Sequence, residues 1–185
     1  MSSSQYEVRL SGSGGQGLIL GGVILGEAAA IYDGKKAIQS QSYGPEARGG
    51  ASKSDVIVSN NPIDYPKATA LDALLSLTQV ACDKYVVDLK QGGILIVDSD
   101  LVKKMPQGNF KIFKLPITDI AKNKVGKVIT ANIVALGALV EVTKVVSKEA
   151  IEKAVLARVP KAFLELNKTA LEAGIGGSEV AYQLV

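Results

Sequence analysis

Apolar positions fall into short runs separated by polar and glycine-bearing turns, and their spacing predicts alternating strands and helices. Residues 6–11 read as a first strand, 18–32 as a helix, 37–41 as a second short strand and 55–59 as a third, the opening of a βαβ unit. Residues 70–82 suit a helix, and 85–90 fit either state. ILIVD at 94–98 is a continuous apolar run with the length and branching of a buried strand. Lys111–Leu115 reads as a further strand, at a sheet edge. Beyond Pro116, helical patterns cover 117–123, 130–143, 148–159 and 161–173, broken at Gly126, Ser147 and Pro160. With no repeat, low-complexity segment or long linker, these helices are expected to cover the sheet or a neighbour. The expectation is an α/β protein with a Rossmann-like open sheet, mostly parallel and flanked by helices, and a helical C-terminal third. Residues 1–185 are expected to form one domain.

Composition narrows the chemistry. Hydrophobic residues make up 47% of 185 positions while aromatics are only 5% and Trp is absent, so the core must be built from Val, Ile, Leu and Ala. The net charge of +3 comes from 21 basic and 18 acidic residues scattered along the chain, without the basic blocks and interleaved aromatics that bind nucleic acid. Cys82 is the single cysteine and there is no histidine, which excludes an internal disulfide, a Cys/His metal cluster and a histidine-dependent triad. Lys, Tyr, Asp and Glu remain as candidates for proton transfer. The opening MSSSQ lacks a basic region followed by an apolar core, and the apolar run after residue 17 is interrupted by Gly21, Gly22, Gly26 and Glu27 before it could span a bilayer. A soluble, cytoplasmic protein without membrane contact is expected.

Two stretches carry candidate binding chemistry. GSGGQG places Gly12, Gly14 and Gly17 in a G-x-G-x-x-G pattern between a strand and a helix, with Gly15 and Gln16 inside it. The glycines there allow a tight turn, close ligand approach and close helix packing, and free N–H groups at the helix start favour a phosphate or carboxylate. A dinucleotide would also want an acid about 20 residues on, at the end of the second strand. That strand instead ends in Gln39, Ser40 and Gln41. A purely structural turn therefore stays open beside an anion site. Gly21, Gly22 and Gly26 further suggest that something approaches the helix very closely. The second stretch, residues 42–59, sets Tyr43, Glu46 and Arg48 in a loop where open α/β sheets place ligands. Arg48 could fork onto a carboxylate or phosphate, with Glu46 as its internal partner or as a contact to another chain. A loop stapled by one ion pair is the plain alternative. Lys53 reads as a solvated lysine, Tyr65 as a loop anchor, and Asp98 as a capping, ion-pairing or ligand-edge carboxylate.

Taken together, GSGGQGLILGGVILGEAA, QSYGPEARGGASKSDVIVS and GKVITANIVALGALVEVT at 126–143 resemble the gamma subunit, or gamma domain, of the 2-oxoacid:ferredoxin oxidoreductases. The resemblance spans almost the whole chain. It implies a complex that oxidatively decarboxylates a 2-oxoacid, 2-oxoglutarate before pyruvate, passes electrons to ferredoxin or another acceptor, and transfers the acyl group to coenzyme A. Thiamine diphosphate with Mg would lie between alpha-type and beta-type subunits, and [4Fe-4S] clusters on beta-type or delta-type chains. This chain would pack on the alpha type and bind none of these cofactors by itself. It would contribute assembly and part of the coenzyme A approach, and would not be catalytic alone. The residues expected to face a ligand or partner are Gly12, Gly14, Gly15, Gln16, Gly17, Tyr43, Glu46 and Arg48. The rival readings are a subunit of the indolepyruvate oxidoreductase branch and a free-standing dinucleotide-binding oxidoreductase. A homodimer of the isolated chain is compatible with every reading.

Overall fold

The computed structural model describes residues 5–42 and 50–182, with side chains through Ser178. Strand β1 (Gln5–Ser13) leads through the glycine turn into helix α1 (Leu18–Glu27), which continues as a π-helical turn over Ala28–Tyr32. Then follow β2 (Lys36–Ser42), β3 (Ala51–Ser59), β4 (Leu71–Ser76), α2 (Gln79–Tyr85), β5 (Leu89–Asp98) and β6 (Lys111–Leu115). The remainder is helical: α3 (Ile117–Asp119) passing into a π-helical stretch at Ile120–Val125, then α4 (Ala131–Thr143), α5 (Lys148–Arg158) and α6 (Leu164–Tyr182). The six strands form one sheet in the order β2-β3-β1-β4-β5-β6. Strands β1, β4, β5 and β6 are mutually parallel neighbours, while β3 runs antiparallel to both β1 and β2. The mostly parallel open sheet, the edge position of β6 and the helical C-terminal third agree with the sequence.

Two expectations are corrected. Residues 70–82 do not form a continuous helix: LDALLS is a strand, and only Gln79–Tyr85 is helical. Leu and Ala favour helices intrinsically, but at the centre of the sheet both faces of the segment are covered, so it shows no alternation. Leu75 joins the core beneath the large helical layer while Leu74 joins the core beneath α2. The opening is also not a simple βαβ unit. β3 begins at Ala51 instead of residue 55 and inserts between β1 and β2, which splits the unit and moves β2 to the edge.

Helices α1, α4, α5 and α6 cover one face, and α2 alone packs on the other. The close approach to α1 is internal, because a Cβ at Gly22 would lie 2.0 Å from Ser54 Oγ on β3. The tightest crossing joins α4 to α6. A Cβ at Gly137 would stand 2.2 Å from the Leu171 carbonyl oxygen, and one at Gly174 would stand 1.9 Å from that of Val134. Backbone meets backbone there, and only glycine fits. Ser147 caps α5 by accepting from the Ala150 N–H at 3.1 Å, and is itself held by Asp33. A fork from Arg158 to Glu27 ties α5 to α1. No helix among the described residues is long and apolar enough to cross a membrane.

Gly174→Ala is expected to cost about 1–3 kcal/mol of unfolding free energy, since backbone on both helices must shift. Gly176→Ala, whose Cβ would meet nothing within 4 Å, is expected to stabilise α6 by about 0.5–1 kcal/mol. Urea unfolding of the two variants checks the contrast, and equal effects would refute it.

Candidate functional site

The glycine turn sits at the carboxyl end of β1, the edge at which the parallel strands deliver their loops. Its glycines differ in what requires them. Gly15 and Gly17 have φ of 87° and 75°, a conformation that side-chain-bearing residues rarely adopt. Gly12 has ordinary backbone, but a Cβ there would lie 2.3 Å from Gln16 Oε1 and 2.7 Å from Leu18 Cδ1. Gly14 faces open space. Gln16 folds back over the turn, where its Oε1 accepts from the Ser13 N–H at 2.7 Å. α1 starts on Gly17 without a side-chain cap, so its first amides depend on solvent or a ligand. The five turn residues named from sequence are thus brought together, with Gln16 serving the turn itself.

Asn132 at the start of α4 was missed as a positioning residue. Its Nδ2 donates to the Gly17 carbonyl at 3.2 Å, and a Cβ on Gly17 would stand 2.6 Å from that nitrogen. The turn is therefore held by a residue far away in sequence, which no local spacing reveals. The second candidate loop springs from the same edge, since Ser13 pairs with Ala51 and Ser42 pairs with Lys53. Tyr43, Glu46 and Arg48 lie outside the described residues. On β2, Gln39 spends its amide on Ser54 at 2.9 Å, beside Gly22 of α1. The position where a dinucleotide would want an acid is occupied by a packing contact.

Across the sheet, below α2, lies a buried charge cluster. Arg9 is 2% exposed and forks onto Asp55 of the neighbouring strand, with Nε to Oδ1 at 2.6 Å and Nη2 to Oδ2 at 3.0 Å. Its Nη1 donates to Asp88, and the guanidinium lies 5.1 Å from the Tyr85 ring centre. Burial lowers the Arg9 pKa, but Asp55 and Asp88 outweigh it and hold the group above its ordinary value. Lys53, expected in solvent, joins this cluster with Nζ 3.1 Å from Asp55 Oδ2. An Arg and an Asp each set inside an apolar strand were the available signal. Asp98 is fully buried, accepting from the Thr118 and Asp100 N–H groups at 2.9 and 3.0 Å, which makes it an organiser of the chain after β5. Tyr65 is 57% exposed and not packed as an anchor. Burial, followed by the Asp83 charge, pushes the Cys82 thiol up to about 11, so it is no thiolate nucleophile at neutral pH.

Beside the turn opens a groove of about 550 Å³, walled by Leu20 of α1, Ile129 before α4, and Val159, Pro160 and Phe163 between α5 and α6, with Lys127 at its rim. Nothing in the sequence pattern joins these three segments.

The model of the pyruvate ferredoxin/flavodoxin oxidoreductase family matches residues 7–176. The 2-oxoglutarate synthase subunit KorC of Methanocaldococcus jannaschii is 55% identical over 180 residues, which cover 96% of this chain and 95% of that one. The crystal structure of a keto/oxoacid ferredoxin oxidoreductase gamma subunit from Geobacter sulfurreducens PCA superposes with a TM-score of 0.91 at 62% identity, over 97% of this chain and 99% of that one. A 2-oxoglutarate:ferredoxin oxidoreductase from Magnetococcus marinus, solved with 2-oxoglutarate, coenzyme A and succinyl-CoA bound, shares the fold at a TM-score of 0.84 and 19% identity, over 97% of this chain and 32% of that one.

Asn132→Ala should cost about 1 kcal/mol and speed amide exchange at the start of α1, because the Gly17 carbonyl loses its donor. Asn132→Asp should not restore protection, as a carboxylate cannot donate. Unchanged exchange in both variants would show that the turn holds itself.

Proposed function

The chain belongs to the pyruvate ferredoxin/flavodoxin oxidoreductase family, and from that premise we infer that it is the gamma subunit of a 2-oxoglutarate:ferredoxin oxidoreductase. The observation that carries this is the match, at 55% identity over 96% of the chain, to a 2-oxoglutarate synthase subunit, and the 62% identical Geobacter gamma subunit supports the gamma role. The complex would oxidatively decarboxylate 2-oxoglutarate, pass the electrons to ferredoxin and deliver the acyl group to coenzyme A. The dinucleotide-binding and indolepyruvate alternatives are not favoured. β2 offers no acid, and an antiparallel strand separates it from β1.

The complex's resident cofactors do not fit this chain. A [4Fe-4S] cluster takes four thiolates, and the sequence has one cysteine, buried in the core. Among the described residues there is no group of three or more His, Cys, Asp or Glu placed to hold a metal ion. The reading assigns the clusters and thiamine diphosphate to alpha, beta or delta partners and the complex to the cytoplasm, and this chain's own contribution would be assembly and ligand approach. The turn at Gly12, Gly14, Gly15, Gln16 and Gly17 and the loop bearing Tyr43, Glu46 and Arg48 would face a partner or a phosphate-bearing ligand such as coenzyme A. In support, the uncapped amides of α1 and both ends of the loop share one edge of the sheet.

A tagged copy purified gently from its own cells should bring larger iron-bearing chains, thiamine diphosphate and coenzyme A-dependent 2-oxoglutarate oxidation. A colourless chain recovered alone would overturn the subunit reading. Within the complex, Arg48→Ala should raise the KM for coenzyme A or weaken assembly by about 1.5–3 kcal/mol, the worth of a hydrogen bond to a charged group. Steady-state kinetics and the yield of complex decide it, and no change in either would remove Arg48 from the site.

A further inference from the structure

We propose that the groove beside the glycine turn docks an amphipathic, carboxylate-bearing segment of a larger partner subunit, an inference that rests on the gamma-subunit reading. Singly exposed apolar residues are ordinary, but here Leu20, Ile129 and Phe163, exposed by 42%, 85% and 50%, converge on one concavity. Such convergence marks a contact surface. The rim supplies the sign of the partner. Lys127 lines the groove and Lys161 follows directly on its Pro160. Both are exposed, and neither has an acidic partner among the described residues. A basic rim around an apolar floor selects a segment that is apolar on one face and carries Asp or Glu beside it.

The floor argues against a small polar ligand. The Thr130 hydroxyl donates to the Lys127 carbonyl at 2.7 Å, and the Asn132 and Asn167 amides donate to those of Gly17 and Phe163 at 3.2 and 2.9 Å. The Thr130 hydroxyl proton and one N–H of each amide are thus committed to the protein's own backbone. A second copy of the chain is disfavoured as well, because a two-fold contact through this groove would bring one basic rim against its equal.

The test uses the assembled complex, with benzoylphenylalanine replacing Ile129, Phe163 or, as a control, Val87, which is 79% exposed beyond α2. On irradiation, positions 129 and 163 should cross-link to a larger subunit at a peptide containing Asp or Glu, about tenfold more than position 87. The double charge reversal Lys127→Glu with Lys161→Glu should lower recovered complex about tenfold, and Lys127→Arg with Lys161→Arg should keep it. Cross-links to another copy of this chain, or none from either position while the larger subunits still co-purify, would overturn the docking surface and leave the subunit reading standing. Failure of the unmodified chain to recover any iron-bearing partner would overturn both.

Discussion

The register between β1 and β3 is the constraint on which the remaining geometry depends, and a buried ion pair fixes it. Arg9 lies directly across from Asp55 with both side chains on the α2 side of the sheet. A slip of one residue would turn Asp55 toward α1 and leave a buried guanidinium without its fork. The same register sets Ser13 against Ala51, so the end of β1 and the start of β3 meet at one edge. On the other side, Ser11 donates to the Leu75 carbonyl at 2.9 Å and aligns β1 with β4. Held from both sides, β1 presents the glycine turn at a fixed height above the sheet.

Much of this was legible because strong local patterns agreed with the final environment. The β1 run, the ILIVD strand and the helices after Pro116 all keep their local preference in the fold. LDALLS did not, since its residues favour helix and its setting between two covered strands demanded a strand. Residues 51–54 read as loop because they are small and polar, yet all four pair with β1 and residues 53 and 54 also with β2, with Ser54 filling the space left by Gly22. The candidate turn was legible as a turn, while its support by Asn132 and the adjoining groove were not. Those depend on segments more than a hundred residues apart.

In a complex whose chemistry runs on cofactors, a subunit can contribute through its surfaces alone. Here the polar side chains next to the turn act mainly on backbone carbonyls and hold the scaffold in shape. Lys127, at the groove, is left without an acidic partner among the described residues.

The crossing of α4 and α6 at Gly137 and Gly174 also sets an order of dependence. The helix whose Asn132 clasps residues 12–17 is itself clamped by α6, and the segment at 159–163 that closes the groove leads into α6. The sheet draws on no residue beyond Leu115, whereas the turn and the groove are complete only once α6 is seated.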